Sequence, residues 1–107
     1  PKKTKQYEAL VSGLAKKQWT FAPMHGALKL QVTCVFKRPK RLLRKADPEG
    51  RMWKISRPDL DNCIKSVSDG LDVVMNDDAQ IVLIEASKLY AAKGEEPHVC
   101  IRLEPAV

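Results

Sequence analysis

Residues 57–81 combine a helical apolar pattern with a concentration of acidic residues, and this segment constrains the fold more than any other. It reads RPDLDNCIKSVSDGLDVVMNDDAQI and contains six of the chain's thirteen acidic residues but only two basic ones. Its apolar side chains recur at steps of four and three, the spacing of a helix with one face toward a core: Leu60, Ile64, Val67, Leu71 and Val74. We therefore predict a helix over 58–74, with Pro58 in its first turn.

The opposite face of this predicted helix is charged, because Asp61, Lys65, Asp69 and Asp72 follow one another at steps of four, four and three. The rest of the chain is basic. Its formal net charge is +6; residues 37–57 contain nine Lys or Arg against two acids, and residues 1–18 contain five Lys against one Glu. Such a surface attracts polyanions, and we expect that binding to weaken steeply with salt.

The flanking segments predict a small α+β domain. Residues 3–18 carry an apolar stripe at helical spacing, whereas residues 27–37 alternate between apolar and polar like a half-buried strand. Residues 38–56 lack a period and contain two Pro and one Gly, which predicts a long basic loop. Two further strands, over 80–90 and 97–103, are expected to form a hairpin. The prediction is a single domain over 1–107, of α+β or mixed α/β class, with two helices packed on one face of a small mixed β-sheet.

Composition narrows the class of protein further. The three cysteines are widely spaced without a CxxC pair, which indicates reduced, buried thiols and a cytoplasmic protein. No apolar run approaches the roughly twenty residues that cross a membrane, and no signal peptide is evident. Pro1 is not a natural initiator, so we expect residues to precede it.

The carboxylates fall into two pairs that suit a hard metal ion. Asp59 and Asp61 bracket the predicted helix start, and Asp77 and Asp78 precede the next strand. Asp oxygens bind Mg²⁺ directly, and such an ion activates water for phosphodiester cleavage. A short return from helix to strand could bring the two pairs together. Asp residues also cap helices and form turns, so a purely structural role stays open.

Lys65 lies one helical turn after Asp61 and has two interpretations. It could form an ordinary ion pair with Asp61, or its cation could contact the scissile phosphate. Asp69, one turn further on, would then orient Lys65 or support the site. Zinc is not expected, because His25 and His98 are far apart and lack paired cysteines. The chain also lacks the glycine-rich motifs of nucleotide sites, so we expect no nucleotide cofactor.

Taken together, these motifs closely resemble the signature of the RusA family of Holliday-junction resolvases. The resemblance rests on the PDLDN run at 58–62, Lys65, the DGL run at 69–71 and the DDAQI run at 77–81, and the opening PKKTK…Y is similar to the first helix of phage and prophage members. It implies a small homodimer of mixed α/β fold that binds four-way junction DNA. The family makes paired, symmetric nicks with Mg²⁺ (or Mn²⁺). The family's N-terminal strand and basic segment are expected to be missing from this chain.

The resemblance also assigns residues. Asp59, Asp61 and Asp78 match the metal-binding catalytic carboxylates, Asp77 lies beside them, Lys65 matches the catalytic lysine, and Asp69 matches a further acidic position. Basic residues of the loop would contact junction phosphates: Arg38, Lys40, Arg41, Arg44, Lys45, Arg51, Lys54 and Arg57. The protein is then a bacterial or phage-encoded enzyme of recombination and repair. The alternative is a non-catalytic basic module that binds nucleic acid.

Overall fold

The computed structural model describes residues 24–106 of the chain. Within that range β1 spans Leu28–Phe36, β2 spans Met52–Trp53, the helix α1 spans Leu60–Gly70, β3 spans Ile81–Tyr90 and β4 spans His98–Pro105. Three short 3-10 helices occupy Lys40–Leu42, Asp72–Val74 and Asp78–Gln80. The helix predicted over 3–18 lies outside the described residues, and so does any strand before it.

The four strands form one mixed sheet in the order β2-β3-β1-β4. β1 runs parallel to β3 and antiparallel to β4, while β2 pairs antiparallel with the end of β3. The predicted hairpin is wrong, because β1 lies between β3 and β4. The helix α1 forms the crossover between the parallel strands β1 and β3, and a parallel pair needs a connection of this kind. The described part of the chain is thus a small α+β fold with one helix.

The core lies between α1 and one face of the sheet. The predicted alternation of β1 is confirmed, since Leu28, Leu30, Val32 and Cys34 are all buried. From α1 and the turn after it, Val67, Leu71, Val74 and Met75 pack on this face, and Leu103 completes it from β4. The apolar side chains of the alternating strand and those of the helical stripe therefore pack together in one layer. Burial of this layer supplies most of the driving force for folding.

The helix α1 is shorter than predicted. It ends at Gly70, and residues 72–74 continue as a tighter 3-10 turn. Met24 donates its N–H to the carbonyl of Val74 over 2.9 Å, which holds this turn against the residues that lead into β1. Of the predicted apolar stripe, Val67, Leu71 and Val74 are buried, whereas the first two members are only half-buried. The N-terminal turn of α1 thus projects toward solvent.

The long basic loop is ordered around one buried arginine. Arg38 is only 4% exposed. Its Nε donates to Ala91 O (3.0 Å), its Nη1 to Leu42 O (3.2 Å) and Pro48 O (2.6 Å), and its Nη2 to Gly50 O. Carbonyls at both ends of the loop therefore bind one guanidinium group, whose planar fork suits several acceptors at once.

The cysteines only partly follow expectation. All three are free, but Cys34 is buried, Cys63 is half-buried and Cys100 is exposed. Burial, reinforced by the neighbouring Cys63 thiol, raises the pKa of Cys34 to about 12, so its thiol stays protonated. In the stretch of chain covered by the structure, the one helix is too short and too polar to cross a membrane.

Candidate functional site

The two carboxylate pairs flank α1 in sequence, and the first pair lies at its N-terminus. Asp59 occupies the N-cap position and Asp61 lies in the first turn, and both side chains are exposed. Lys88 of β3 fixes this end of the helix, because its Nζ donates to Ser56 O (2.5 Å) and Pro58 O (2.8 Å). The first pair therefore lies beside the C-terminal half of β3.

The second pair lies at the other end of the sheet, just before β3 begins. Asp77 caps the 3-10 turn: its Oδ1 accepts the N–H of Ala79 (2.8 Å), and its own N–H donates to Gln80 Oε1 (2.8 Å). Gln80 Nε2 donates to the carbonyls of Met24 and Gly26, each over 3.0 Å. The turn is thereby fixed to the chain that enters β1, near the C-terminal end of α1.

Four carboxylates crowd together at this C-terminal end. The hydrogen bond with Asp77 and partial desolvation raise the pKa of Asp78, and the charges of Asp77, Asp72 and Asp69 raise it further. The N–H of Ala79 lowers the pKa of Asp77, and the hydrogen bond with Asp78 lowers it further. Asp78 is thus the carboxyl whose ionisation costs most here. A bound cation would relieve that cost.

Within one chain, the structure does not bring Asp59 or Asp61 to Asp77 or Asp78. The helix between them rises about 1.5 Å per residue, so its residues 61 and 70 alone are about 14 Å apart along its axis. Across residues 24–106, no three His, Cys, Asp or Glu side chains are arranged to hold a metal ion. The carboxylates of one chain therefore do not fit a Mg²⁺ ion that needs both pairs.

Lys65 and Asp69 lie on the exposed side of α1 between the two ends. Lys65 is exposed, and none of the ion pairs among the described residues joins it to Asp61. The simple i, i+4 pair is therefore not formed. Asp69 is half-buried, and its charge acts on Asp78. By position, Asp69 belongs to the C-terminal carboxylate group.

The set of basic residues proposed to contact DNA needs one correction. Arg38 cannot contact phosphate, because it is buried and its guanidinium binds backbone carbonyls. Charge pattern alone does not distinguish a buried arginine from an exposed one. Arg51 forms a two-point ion pair with Glu95 (2.7 Å at the closest), which lowers the pKa of Glu95 to about 2.

Two other basic residues are partly engaged. Lys54 Nζ lies 5.2 Å and 4.9 Å from the ring centroids of Phe36 and Tyr90 and donates to Ser56 Oγ. Arg44 contacts Asp47 at 3.4 Å. The exposed positions that keep their cations toward solvent are Lys40, Arg41, Arg44, Lys45 and Arg57. Arg57 also lies 3.8 Å from Asp59, so the basic surface borders the N-terminal carboxylate pair.

Sequence reasoning missed Lys88 and Gln80, which position the two ends of the acidic segment. Lys88 holds the start of α1, and Gln80 holds the turn before β3. Both lie in or next to a predicted strand, where a polar residue at every second position is ordinary. Lys88 lies on the α1 side of β3, opposite buried Cys34, and a lysine on that face is the one signal the sequence offered.

A small α+β domain with two carboxylate groups, one of which borders a basic loop, has the features of an enzyme that acts on nucleic acid. The chain matches the family model described as "Endodeoxyribonuclease RusA" over residues 1–104. It therefore belongs to the RusA family, whose members are endonucleases that resolve Holliday junctions. Among curated proteins it is similar to "Uncharacterized protein YqaN" of Bacillus subtilis (strain 168), with 28% identity over 105 residues, covering 92% of this chain and 72% of that protein. No solved structure gives a significant match.

Proposed function

We propose that the protein is a Mg²⁺-dependent, structure-specific endodeoxyribonuclease that resolves four-way DNA junctions by paired, symmetric nicks. The observation that carries this proposal is the family match over residues 1–104, which includes both carboxylate pairs. Mn²⁺ is expected to substitute for Mg²⁺, since both prefer oxygen ligands. The biological role that follows is recombination and repair in the cytoplasm of a bacterium, encoded by the cell or by a phage.

The metal requirement and the placement of the carboxylates together indicate a homodimer. One protomer holds Asp59 and Asp61 at one end of α1 and Asp77 and Asp78 beyond the other. Both pairs can serve one ion only if the second pair comes from a partner chain. We therefore propose that Asp59 and Asp61 of one protomer and Asp78, assisted by Asp77, of its partner hold Mg²⁺. The ion would supply Lewis acidity and an activated water.

The remaining residues bind and position the DNA. Lys65 lies one turn from Asp61 on the exposed face of α1, where its ammonium group can approach the scissile phosphate. Asp69 supports the carboxylate group around Asp78. The loop cations contact phosphates of the junction arms, which orients the DNA without reading its sequence. A two-fold dimer matches the two-fold symmetry of a junction, and two equivalent sites would give two symmetric nicks.

The direct test uses a labelled four-way junction and a duplex of the same sequence. Wild-type protein with Mg²⁺ is expected to nick two opposing strands of the junction and to leave the duplex intact. EDTA should abolish nicking without abolishing binding. Binding of the junction with no nicks in either Mg²⁺ or Mn²⁺ would favour the alternative of a non-catalytic nucleic-acid-binding module. The observation that favours this alternative is the separation of the two carboxylate pairs within one chain.

A subunit-mixing experiment tests whether the site is shared. Asp61→Asn and Asp78→Asn proteins are each expected to be inactive alone. After the two are mixed and allowed to exchange subunits, a mixed dimer has one site with both substitutions and one intact site. It should therefore make single, unpaired nicks. A site built within one protomer predicts the opposite, since both sites of the mixed dimer would then carry one substitution and stay inactive.

Metal binding gives a readout that is independent of cleavage. Titration of Mn²⁺ into wild-type protein, followed by calorimetry, is expected to show one ion per protomer or more. Either Asp61→Asn or Asp78→Asn should weaken that binding, although the two residues are distant within a chain. If only Asp78→Asn weakens it, the ion belongs to the C-terminal carboxylate group of one protomer, and the shared site is wrong.

A further inference from the structure

Two large apolar side chains project into solvent where β2 leads toward the start of α1. Among the described residues, Trp53 and Ile55 are the most exposed of this kind, at 74% and 96%. Between them, Lys54 turns its side chain inward, with Nζ 5.2 Å and 4.9 Å from the ring centroids of Phe36 and Tyr90. Side chains alternate in direction along an extended chain, so Trp53 and Ile55 both turn outward. We call these two residues the apolar pair.

The backbone that carries the apolar pair is held by hydrogen bonds on both sides of Ile55. Lys54 N–H donates to Lys88 O over 3.3 Å, and Lys54 Nζ donates to Ser56 Oγ over 2.8 Å. Lys88 Nζ donates to the carbonyls of Ser56 (2.5 Å) and Pro58 (2.8 Å). Ile55 thus lies on an ordered backbone while its side chain is almost entirely in solvent. Neighbouring apolar side chains that are exposed in this way are characteristic of an interaction site.

Cations surround the apolar pair. Residues 50–58 include Arg51, Lys54 and Arg57 but no acidic residue. Glu95 pairs with Arg51 at 2.7 Å, so Lys54 and Arg57 supply the net positive charge. Arg57 is exposed and lies 3.8 Å from the carboxylate at the N-cap of α1, so the pair borders the N-terminal carboxylates. An aromatic ring set among cations is the combination with which proteins bind unstacked nucleic-acid bases.

A four-way junction differs from a duplex at its branch point. Bases within an arm stack on both neighbours, whereas base pairs at the branch point lack a continuous stack on one side. Bases that are already partly unstacked need less free energy to open further. Proteins that deform DNA insert apolar side chains, isoleucine among them, between base steps, and aromatic rings stack on bases that become exposed. The two members of the apolar pair match these two modes of contact.

We propose that the apolar pair binds the branch point of the junction, with Ile55 inserted between base pairs and Trp53 stacked on an exposed base. The occupant is DNA because the charge around the pair is positive, and two copies of this surface would repel each other. Arg57 then binds a phosphate next to the branch point and brings that strand toward Asp59 and Asp61. The pair selects junctions over duplexes, whereas the loop cations bind phosphates of both. This inference rests on the proposed function for the identity of the DNA.

Binding in EDTA, where no strand is cut, is the first test. A variant with both Trp53→Ala and Ile55→Ala is expected to bind the junction about tenfold more weakly, because it loses base stacking. Its affinity for a duplex of the same sequence should stay within about twofold of wild type, because phosphate contacts dominate that binding. Leu43→Ala, at an exposed apolar residue of the basic loop, is the control and should bind both DNAs like wild type. Circular dichroism verifies folding. A folded double variant that keeps the wild-type preference for junctions overturns the proposal.

The fluorescence of Trp53 reports stacking directly. Trp19→Phe leaves Trp53 as the one tryptophan of the chain, and a base stacked on its ring quenches its emission. Saturating junction is expected to quench more strongly than saturating duplex at the same salt concentration. A 5-bromouracil at the branch point should cross-link to Trp53 on irradiation, and the same base within an arm should give little product. Equal quenching by both DNAs, or stronger cross-linking from the arm, overturns the proposal.

This inference and the proposed function can fail separately. Selective quenching of Trp53 by a junction that the protein never nicks would support the branch-point contact and remove the nuclease proposal. Paired nicking at the same rate by wild type and the double variant would remove the branch-point contact alone. Sedimentation tests the other occupant: a double variant that is monomeric where wild type is dimeric would assign the apolar pair to a contact between copies, and the inference would be wrong.

Discussion

The two ends of α1 differ in how they hold their carboxylates. At the C-terminal end, the hydrogen bond with Asp77 and the nearby charges of Asp77, Asp72 and Asp69 raise the pKa of Asp78. At the N-terminal end, Asp59 lies beside Arg57, and Lys88 holds the backbone. One end has excess negative charge, and the other has cations in place to receive it. This difference is why we propose that each end of α1 supplies one half of a site.

Removing a carboxylate from the N-terminal end should have the largest effect. Asp61→Asn is expected to reduce junction cleavage about 10³-fold or more, by analogy with the loss of other groups that stabilise a transition state. Binding of the junction should be equal or tighter, because a negative charge near phosphate is removed. Gel-shift and single-turnover cleavage assays measure the two. Loss of binding together with cleavage would assign Asp61 to folding instead.

Substitution of the buried Arg38 measures how much the ordered basic loop, which borders the N-terminal end of α1, contributes to stability. Arg38→Ala removes bonds to four backbone carbonyls and should lower the free energy of unfolding by about 2–4 kcal/mol. The exposed Arg41→Ala is the matched control, with an expected change within about 0.5 kcal/mol. Urea denaturation provides both values. A Lys at position 38 should not rescue the variant, because an ammonium group lacks the planar fork.

Lys65 lies between the two ends of α1. Its substitution is expected to slow the chemical step of cleavage without changing junction binding. Lys65→Ala is expected to slow cleavage about 10²-fold through lost stabilisation of the transition state, with junction affinity within about twofold of wild type. Lys65→Arg, which keeps the charge, should recover part of the rate. Single-turnover cleavage with saturating protein isolates the chemical step. An unchanged nicking rate would reduce Lys65 to an exposed residue of the helix.

Substitutions at the C-terminal end of α1 should have smaller effects, on the melting temperature, and these effects should depend on pH. Because the pKa of Asp78 is raised in the folded protein, its ionisation lowers stability as pH rises from the ordinary Asp range through that raised pKa. Asp78→Asn should therefore raise the melting temperature at neutral pH without divalent cations, and not at acidic pH. Asp77→Ala should lower it, since it removes the acceptor of the Ala79 N–H. Mn²⁺ should narrow the difference between wild type and Asp78→Asn.

Local patterns in the sequence predicted the elements well, whereas long-range placement was not predictable. The alternation of apolar and polar residues predicted β1, and a run rich in β-branched residues predicted β3. The bounds of both strands in the structure agree with the predicted bounds within a few residues. The hairpin was wrong because strand pairing depends on where β1 lies, not on the short turn before β4. Arg38 was misassigned because charge says nothing about burial.

In the candidate site, too, the residues were predictable from the sequence and their placement was not. Motifs identified the acidic residues, but nine residues lie between Leu71 and Ile81. The path of these nine residues decides which end of α1 Asp77 and Asp78 meet. The contacts that fix this path, from Gln80 to Met24 and Gly26, join residues more than fifty positions apart in the sequence. No periodicity in the sequence records them.

The guanidinium of Arg38 has a thermodynamic consequence for DNA binding. A loop that orders only when it meets its ligand loses backbone freedom at about 1–2 kcal/mol per residue. Here Arg38 already binds the carbonyls of Leu42, Pro48 and Gly50, so Lys40, Arg41 and Lys45 stand on a backbone whose conformation is set beforehand. If these cations bind junction phosphates as we propose, binding has only side chains to immobilise, and the affinity gained from each phosphate contact is correspondingly larger.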